Sequence, residues 1–502
     1  MIRISVPKSY TMKELKSILS VLSSDFLEHS QLLSGTLVKE QSLVKRIIAI
    51  AGETEAITDQ DAAKRVYGTP YNKHAFETLK SHVKQRALAN LLICDIKPKG
   101  PYSREAVQFK LLKMIAQADL LLAFGARPTA IKQLQKVQLT AKRYSFNELL
   151  LLSSHALRKH FWFYGMVKAY RDIVRKMDAT LKVLEDEYKG EQFYETATMP
   201  FVKSKAKQLN QVRAMKKAID QIKKIKSLPN SYSLKIHLYK LNVSYSQVIE
   251  DNLGVVTECQ RAIKFLRSTK ANYSLKLHAH FFFAHCESLF AMKKYDELIE
   301  HLSILRELIT DKNPNRLAVE RLAFLSFLRT QQLDKAEVTL TTVHNLTSLA
   351  SVLKRHKEEW LLYREYLGLA SRIYTNDSKR FKPREKGQLQ EVSKDKLGSN
   401  VAILILDCCR LLLERDYKEL EKIDKKIDNY LYRHLNKEPD LKRSATILKM
   451  FRVAIHEEGH PERTKAKVGQ YLPTIHSNVN TVYDSIEVIP YDKIWSLLLK
   501  RL

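Results

Sequence analysis

The chain has 502 residues, more than one hydrophobic core normally serves, so its length predicts two or more compact units. Thirteen glycines and 13 prolines are few for this length and argue against a sheet-rich fold with many turns. Lys and Arg exceed Asp and Glu by 85 to 55, a formal charge of +30. This excess favours an acidic partner, such as nucleic acid, an anionic membrane face or an acidic protein. A lysine-rich, well-solvated helical surface explains the same charge equally well.

The cysteines and the apolar segments indicate a compartment. Five cysteines are present, an odd number with no CxxC spacing, which is typical of reduced core residues and not of a disulfide framework. The first residues lack the apolar stretch of a secretion signal, and no run of about 18 apolar residues suits a membrane span. We therefore expect a cytoplasmic protein without a membrane span.

Residues 1–125 form a helical N-terminal module in this prediction. Thr58 and Asp61 make a capping-box pair that starts a short helix, and a tight break, TPYN, separates it from the long helix FETLKSHVKQRALANLL. A short helix, a turn and a second helix outline a helix-turn-helix over residues 58–104, with ICDIKPKGPYSR as a strand and basic loop.

The second helix of this outline carries Lys80 and Lys84. In a winged-helix module such a helix enters the major groove, and the following loop contacts phosphate. Nucleic-acid binding through these lysines is therefore one hypothesis. The same outline is common in helical proteins that bind no DNA, so a purely structural pair of helices is the other interpretation.

From residue 126 the pattern changes to recurring amphipathic helices. Ser145 and Glu148 make a further capping-box pair and predict a helix that continues to about Tyr188. Other helices are predicted over residues 205–228, 233–268, 273–292, 295–310, 316–330, 334–346, 351–374, 400–414, 418–435 and 441–458.

Three segments share one design: FFFAHCESLFAMKKYDELIEHL, LAFLSFLRTQQLDKAEVTLTTV and VAILILDCCRLLLERDYKELEKI. Each has an apolar helix, a short polar turn, then Tyr295, Leu333 or Tyr417, and a second amphipathic helix. The design resembles a degenerate tetratricopeptide hairpin with most of the small Ala and Gly positions missing. The resemblance implies an all-α, tetratricopeptide-like solenoid over residues 126–502, with those three side chains buried at the hairpin turns.

The end of the chain, IEVIPYDKIWSLLLKRL, predicts a closing helix over 490–502. Ile494, Trp495, Leu498 and Leu502 share one face of it, as a helix that covers the last hairpin requires. Together with YGTPYNKHAFETLKSHV near the start, it resembles a group of uncharacterised bacterial tetratricopeptide-like proteins. That resemblance implies an architecture and no catalytic residue.

Two histidine patterns could bind metal. His456-Glu457-Glu458-Gly459-His460 fits HExxH, which needs both histidines one turn apart on a continuous helix. Gly459 and the proline after His460 end a helix there, so this pattern favours a polar helix end over a zinc hydrolase. In LHAHFFFAHCES, His278 and His285 lie two turns apart on a helix, which argues against one shared ion.

Phosphate loops and nucleophile elbows are missing: the sequence has no GxxxxGK[ST], GxGxxG or GxSxG. We therefore expect no enzyme activity and no cofactor.

Two segments concentrate positive charge. Residues 201–240 contain many lysines and only one acid, Asp220. In helical register, one face of the predicted helix carries the charge, and another face forms a core stripe of Val212, Met215, Ile219 and Ile222. A row of this kind could follow phosphates or an acidic peptide, although a solvated face is as good an interpretation. The candidate binding residues are Lys203, Lys207, Arg213, Lys217, Lys224, Lys379, Arg380, Lys382 and Arg384.

The sequence therefore favours a non-enzymatic interaction scaffold that binds a peptide, protein or acidic partner. A nucleic-acid-binding regulatory protein is the alternative, and a zinc hydrolase using residues 456–460 is a distant third. The identity of the partner and the oligomeric state are not encoded in any recognisable pattern.

Overall fold

A computed structural model supplies the structure of the chain. It describes residues 12–19, 38–52, 57–68, 72–93, 104–203, 209–269, 273–311, 313, 315–345, 354–375, 399–435, 442–476 and 487–502. These residues are almost entirely helical and none of them belongs to a strand, so the prediction of an all-α fold is confirmed for the described part of the chain. No helix in those ranges is long and apolar enough to cross a membrane.

The chain divides into two compact units, Met1–Met177 and Asp178–Leu502. The sequence pattern changes earlier, at residue 126. The helices of the first unit are α1 (Met12–Leu19), α2 (Val38–Gly52), α3 (Asp59–Tyr67), α4 (Lys73–Ile93), α5 (Arg104–Ala123), α6 (Arg127–Arg143), α7 (Asn147–Phe163) and α8 (Val167–Lys203), in which the division falls.

The four N-terminal helices share one small core. Leu15 of α1, Ile47 of α2, Val66 of α3 and Val83 of α4 are all buried in it. Thr58 caps α3 as predicted: its hydroxyl accepts from the backbone N–H of residue 61, at 3.2 Å. The two helices of the predicted outline are therefore present, but most of the turn between them, residues 69–71, and the predicted wing, residues 94–103, lie outside the described residues. The winged-helix interpretation is not confirmed.

The second unit is a sequential stack. Its helices are α9 (Leu209–Lys223), α10 (Tyr232–Val248), α11 (Asn252–Ser268), α12 (Leu275–Ala291), α13 (Tyr295–Leu308), α14 (Arg316–Arg329), α15 (Leu333–Asn345), α16 (Lys354–Thr375), α17 (Ser399–Glu414), α18 (Tyr417–Tyr430), a π-helical turn (Leu431–Leu435), α19 (Lys442–His456), α20 (Pro461–Val468), a 3-10 turn (Gly469–Tyr471), α21 (Leu472–His476) and α22 (Tyr491–Leu499). Each helix from α9 to α19 packs against the next one, which is consistent with a helical solenoid.

One turn geometry joins many of these helices. In the turn between α14 and α15, Gln331 has a left-handed backbone with φ 63°, and its N–H donates to Leu328 O at 3.3 Å. The next N–H, of Gln332, donates to Phe327 O at 2.8 Å. This is the Schellman ending of a helix, which satisfies its last carbonyls within three residues. The same pair of bonds recurs with a left-handed residue at Gly125, Ser145, Gly165, Glu250, Lys293 and Arg415.

Two predicted helices are broken by this turn. Ser145 is not a capping residue, because it is the left-handed residue of the turn before α7, which begins without a side-chain cap. The predicted helix from there to about residue 188 is interrupted at Gly165, and the predicted helix 233–268 is two helices separated at Glu250. A Schellman turn needs only one left-handed residue, so it leaves little trace in the sequence at Ser145 and Glu250, where that residue is not glycine. At Gly165 the glycine is present, but the helix was predicted to continue through it.

Three predicted turn residues have different environments. Leu333 is buried as predicted, and Tyr295 is half-buried. The prediction was wrong for Tyr417, which is 42% exposed and donates its hydroxyl to the carbonyl of Glu458 at 2.9 Å. That side chain therefore ties α18 to the turn after α19 and does not fill a core.

The closing helix is docked as predicted. Trp495 is buried on α22, where it packs edge-on against Phe451 of α19, and α22 also contacts α16 and α21. Two arginines hold the segment before it in place. The Glu487 carboxylate accepts from Arg443 at 2.7 Å, and the Glu487 backbone carbonyl accepts from Arg329 at 2.6 Å. The end of the chain thus bonds to helices far apart in the stack.

Candidate docking surface

The first unit exposes large aromatic side chains at one end of its hairpins. The turns after α5 and after α7 lie at this end, because α6 and α7 run in opposite directions between them. Phe124 is 85% exposed, Trp162 71%, Phe163 61% and Tyr164 53%. With the half-exposed Met166, these residues form what we call the aromatic end.

Contacts across the two turns hold part of this surface together. The guanidinium of Arg127, at the start of α6, lies 4.6 Å from the ring centroid of Phe163 and donates to the Tyr164 hydroxyl at 3.4 Å. His160 packs against the Tyr164 ring, with centroids 4.8 Å apart. Burial and the nearby charge of Arg127 lower the pKa of His160 below its ordinary value. Arg127, His160, Phe163 and Tyr164 are therefore one cluster of contacting side chains within the aromatic end.

The opposite end of the same hairpins shows that this exposure is not required by the turn. Tyr144 stands at the same turn position as Phe124 and Tyr164, yet it is only 8% exposed. It stacks on Phe146 with parallel rings 5.8 Å apart, and Arg104 lies over the Phe146 ring and donates to the carbonyl of Tyr144. An equivalent turn is thus covered at one end and left open at the other.

Basic residues outnumber acidic ones near the aromatic end. The last six residues of α5 and α7 and the first six of α6 and α8 carry two acids, Asp119 and Asp172. The basic residues of the same segments are Arg127, Lys132, Arg158, Lys159, Lys168 and Arg171. An exposed apolar surface with a basic rim is typical of a binding site for an acidic segment with apolar anchors.

The sequence prediction did not single out the aromatic end. The available signal was FWFYG, four consecutive aromatic residues before a glycine: successive residues of a helix point about 100° apart, so all four cannot face one core. The sequence prediction did not end the helix at this point. Because α7 ends at Phe163, residues 162–164 lie at the end of the hairpin.

The predicted basic row is partly described. Arg213 and Lys217 are exposed on α9 and Lys224 is exposed just after it, while Met215 and Ile222 on the other face are buried, as predicted. Lys203 is the last residue of α8, and its side chain is outside the described residues. So are Lys207 and the whole second segment with Lys379, Arg380, Lys382 and Arg384.

Lys80 has a structural environment. It is 1% exposed, and its ammonium lies 2.7 Å from the Asp59 carboxylate and 3.0 Å from that of Glu77. Asp59 also accepts from the backbone N–H of Met12 at 2.7 Å, so this pair joins α1, α3 and α4. Lys80 therefore does not form part of an exposed basic face. Lys84, on the next turn, is half-buried.

The HEEGH pattern does not form a zincin helix in this structure. The helix α19 ends at His456, whose Nε2 lies 3.1 Å from Asp424. His460 lies beyond a turn with two left-handed residues and caps α20 with its Nδ1. Lys467 pairs with Glu457, the residue that would be the general base. The helix therefore ends before the second histidine, as the Gly and Pro signals predicted.

The histidines of α12 are separated by the helix, as predicted. His278 is buried beside the hydroxyl of Tyr273, and burial lowers its pKa to about 4. His280 is exposed. His285 is buried on the side that faces α13.

The fold and these surfaces define an all-α protein of sequentially packed helical hairpins. Comparison of the chain with protein-family models, with curated proteins and with solved structures finds no match.

Proposed function

We propose that the protein is a tetratricopeptide-like interaction scaffold whose aromatic end binds an acidic protein segment with apolar anchors. The observation that carries the proposal is the exposure of Phe124, Trp162 and Tyr164 beside a basic rim, while the equivalent Tyr144 at the other end is covered. Aromatic residues and arginines are enriched at the energetically important positions of protein interfaces.

The arrangement of the rings favours a protein partner over nucleic acid at this surface. Base stacking needs an open ring face, and at two of the rings such faces are partly occupied: Arg127 lies over Phe163, and His160 and Phe163 pack against Tyr164. Met166 and Val167, 45% and 57% exposed, extend the surface with flexible and branched apolar groups. Such groups suit apolar side chains of a peptide.

Selection from a random peptide library displayed on phage tests the proposal. We expect enriched peptides to combine Asp or Glu with Leu, Phe or Trp, and to bind with a dissociation constant in the micromolar range. Replacing Phe124 and Trp162 together with Ser removes exposed rings without opening a core, so binding should weaken at least tenfold while the melting temperature stays unchanged. Adding Arg127→Glu should weaken the binding of acidic peptides further.

Tyr432→Ser provides the control, since Tyr432 is 76% exposed in the second unit. It should leave peptide binding unchanged. Peptides that bind the wild-type protein and the Phe124→Ser, Trp162→Ser variant equally would contradict the proposal. Single-stranded oligonucleotides that compete for the same residues would replace the protein partner by nucleic acid.

A second candidate, nucleic-acid binding, is favoured by the row formed by Arg213, Lys217 and Lys224. All three side chains are exposed, and the apolar stripe of α9 lies on its other face. A basic row on a packed helix could follow a phosphate backbone without disturbing the core.

The four described cysteines also fit the prediction of a cytoplasmic protein. Cys259, Cys286, Cys408 and Cys409 are buried and free. Burial raises the pKa of the Cys259 and Cys286 thiols to about 12, which keeps them protonated and unreactive. Such thiols suit a reducing compartment, and we retain that localisation as part of the proposal.

A further inference from the structure

Three metal-ligating side chains meet between α12 and α13. His285 of α12 faces Glu297 and His301 of α13, and each of the three offers a ligand atom within 4.8 Å of the other two. His285 is 4% exposed, His301 is half-buried and the Glu297 side chain is 44% exposed. The cluster therefore runs from the packed interior of the hairpin to its surface.

The hairpin brings these residues together for a geometric reason. Glu297 and His301 are four residues apart on α13, so their side chains lie on one face, one turn apart. The Schellman turn at Lys293 folds α13 back along α12, which places His285 opposite that face. The ring of Phe282 lies nearly parallel to the His301 ring at 5.4 Å and to the His285 ring at 6.1 Å, which orients both imidazoles.

The imidazole of His285 also has an unsatisfied nitrogen. Its Nδ1 is buried and has no hydrogen-bond partner among the described residues. A buried polar atom of this kind is unfavourable unless something binds it. Its neighbours in the cluster are one imidazole and one carboxylate, the ligand set that divalent transition metals prefer.

We propose that His285, Glu297 and His301 bind one divalent transition-metal ion, with zinc as the first choice. Two imidazoles and one carboxylate are the protein ligands of many four-coordinate zinc sites, in which water takes the remaining position. Metal–ligand bonds of about 2.0–2.1 Å place the ligand atoms roughly 3.4 Å apart. Atoms that lie within 4.8 Å of one another therefore have to close by up to about 1.4 Å. Glu297 and His301 are exposed enough to make that movement.

One competing contact has to be displaced. The ammonium of Lys294 lies 3.5 Å from the Glu297 carboxylate, and both side chains are about half exposed. Surface pairs of this kind are weak, so an ion bound by two histidines replaces the ammonium at small cost. The site belongs to the second unit and the aromatic end to the first, and the inference does not depend on the proposed function.

Metal titration of the full-length protein, stripped with EDTA and dialysed, tests the site. We expect calorimetry with zinc chloride to show one strong site per chain, and the melting temperature to rise with zinc concentration. Cobalt chloride should give the visible absorption of a low-coordinate site. Glu297→Gln and His301→Ala should each weaken the strong site at least tenfold. Both residues reach the surface, so these variants keep the fold testable where His285→Ala could fail to fold.

Two variants control for other histidines. His280→Ala removes an exposed imidazole from the same helix, and the double variant His456→Ala, His460→Ala removes the HEEGH pair. Both should keep the strong site. The proposal is overturned if wild-type protein binds zinc no more tightly than the His301→Ala variant, or if the strong site disappears with the HEEGH pair.

Discussion

Trp495 packs edge-on against Phe451, with ring centroids 5.7 Å apart and ring planes at 77°. The contact joins the end of the chain to α19 in the core of the second unit, where both side chains are almost completely buried. The short α22 could not stay helical without such packing, because isolated helices of this length are unstable.

Removing that side chain should therefore destabilise the protein strongly. We expect Trp495→Ala to lower the free energy of unfolding by about 3–5 kcal/mol, the range for large buried aromatic residues. Trp495→Phe should cost less, since it keeps most of the ring volume and removes an indole N–H without a partner among the described residues. Urea denaturation followed by circular dichroism measures both. Trp162→Ala is the matched control and should change stability by less than about 0.5 kcal/mol.

Gln331 offers a test of the turn geometry. Its φ of 63° is unfavourable for a residue with a Cβ, at about 1–2 kcal/mol, and glycine avoids most of this cost. We expect Gln331→Gly to stabilise the protein by about 0.5–1 kcal/mol, after the greater backbone entropy of glycine in the unfolded chain is counted. Gly165→Ala should have the opposite effect, because the same left-handed position would gain a Cβ. A rise in stability for both variants would contradict the assigned turn.

The helices themselves could be read from the sequence, since apolar periodicity and capping residues such as Thr58 are local signals. The turns were harder. Glu250 and Ser145 take the left-handed conformation that usually indicates glycine, so the helices around them were predicted as continuous or wrongly capped. The turn at Gly165 was missed although its glycine is present, because the helix was predicted to continue through it to about Tyr188.

The candidate sites depend on pairs that are distant in the sequence. Lys80 was predicted as a candidate nucleic-acid-binding residue. Its partner Asp59 lies on another helix, and only the folded bundle brings the two charges together. His285 was compared with histidines of its own helix, whereas the residues opposite it, Glu297 and His301, follow the next turn. Local patterns predict which residues share a helix face, but they do not show what the next helix places against that face.

His237 should make stability depend on pH. It stacks on Tyr194, with centroids 5.5 Å apart, and burial followed by the charge of Lys240 lowers its pKa to about 4. The unfolded imidazole, with a pKa near 6.5, binds a proton that the folded one does not accept between about pH 6.5 and 4. The stability that depends on the neutral His237 is therefore fully present above about pH 6.5. It decreases with falling pH until about pH 4, by up to about 1.4 kcal/mol per pH unit.

The variant His237→Phe isolates this contribution. Phenylalanine keeps the stacking on Tyr194 and cannot be protonated, so the decrease in unfolding free energy from pH 7 to pH 4.5 should be smaller than in the wild type. His278, whose pKa is also lowered to about 4, contributes the same slope to both proteins and cancels in the difference. Parallel slopes for the two proteins would show that His237 is not protected from protonation.

Charge reversal in the basic row on α9 tests whether the protein's charge of +30 serves to bind nucleic acid. If it does, replacing Arg213, Lys217 and Lys224 together with Glu should abolish retention on single-stranded DNA and leave the circular dichroism spectrum unchanged, because all three side chains lie off the buried stripe of Met215 and Ile222. The wild-type affinity should fall steeply with salt, since each neutralised phosphate contributes about −0.7 to the log–log slope on a single strand.

A variant with the same charge change elsewhere separates this row from general attraction. Lys418→Glu, Lys422→Glu and Lys425→Glu on α18 lower the positive charge by the same amount in the same unit. Specific binding along α9 predicts loss of retention in the first triple variant only. Equal weakening of both would mean that net charge alone attracts the polyanion, and no effect of either would leave the basic row as a solvated surface. In that last case the acidic protein segment at the aromatic end remains the one partner that the exposed residues favour.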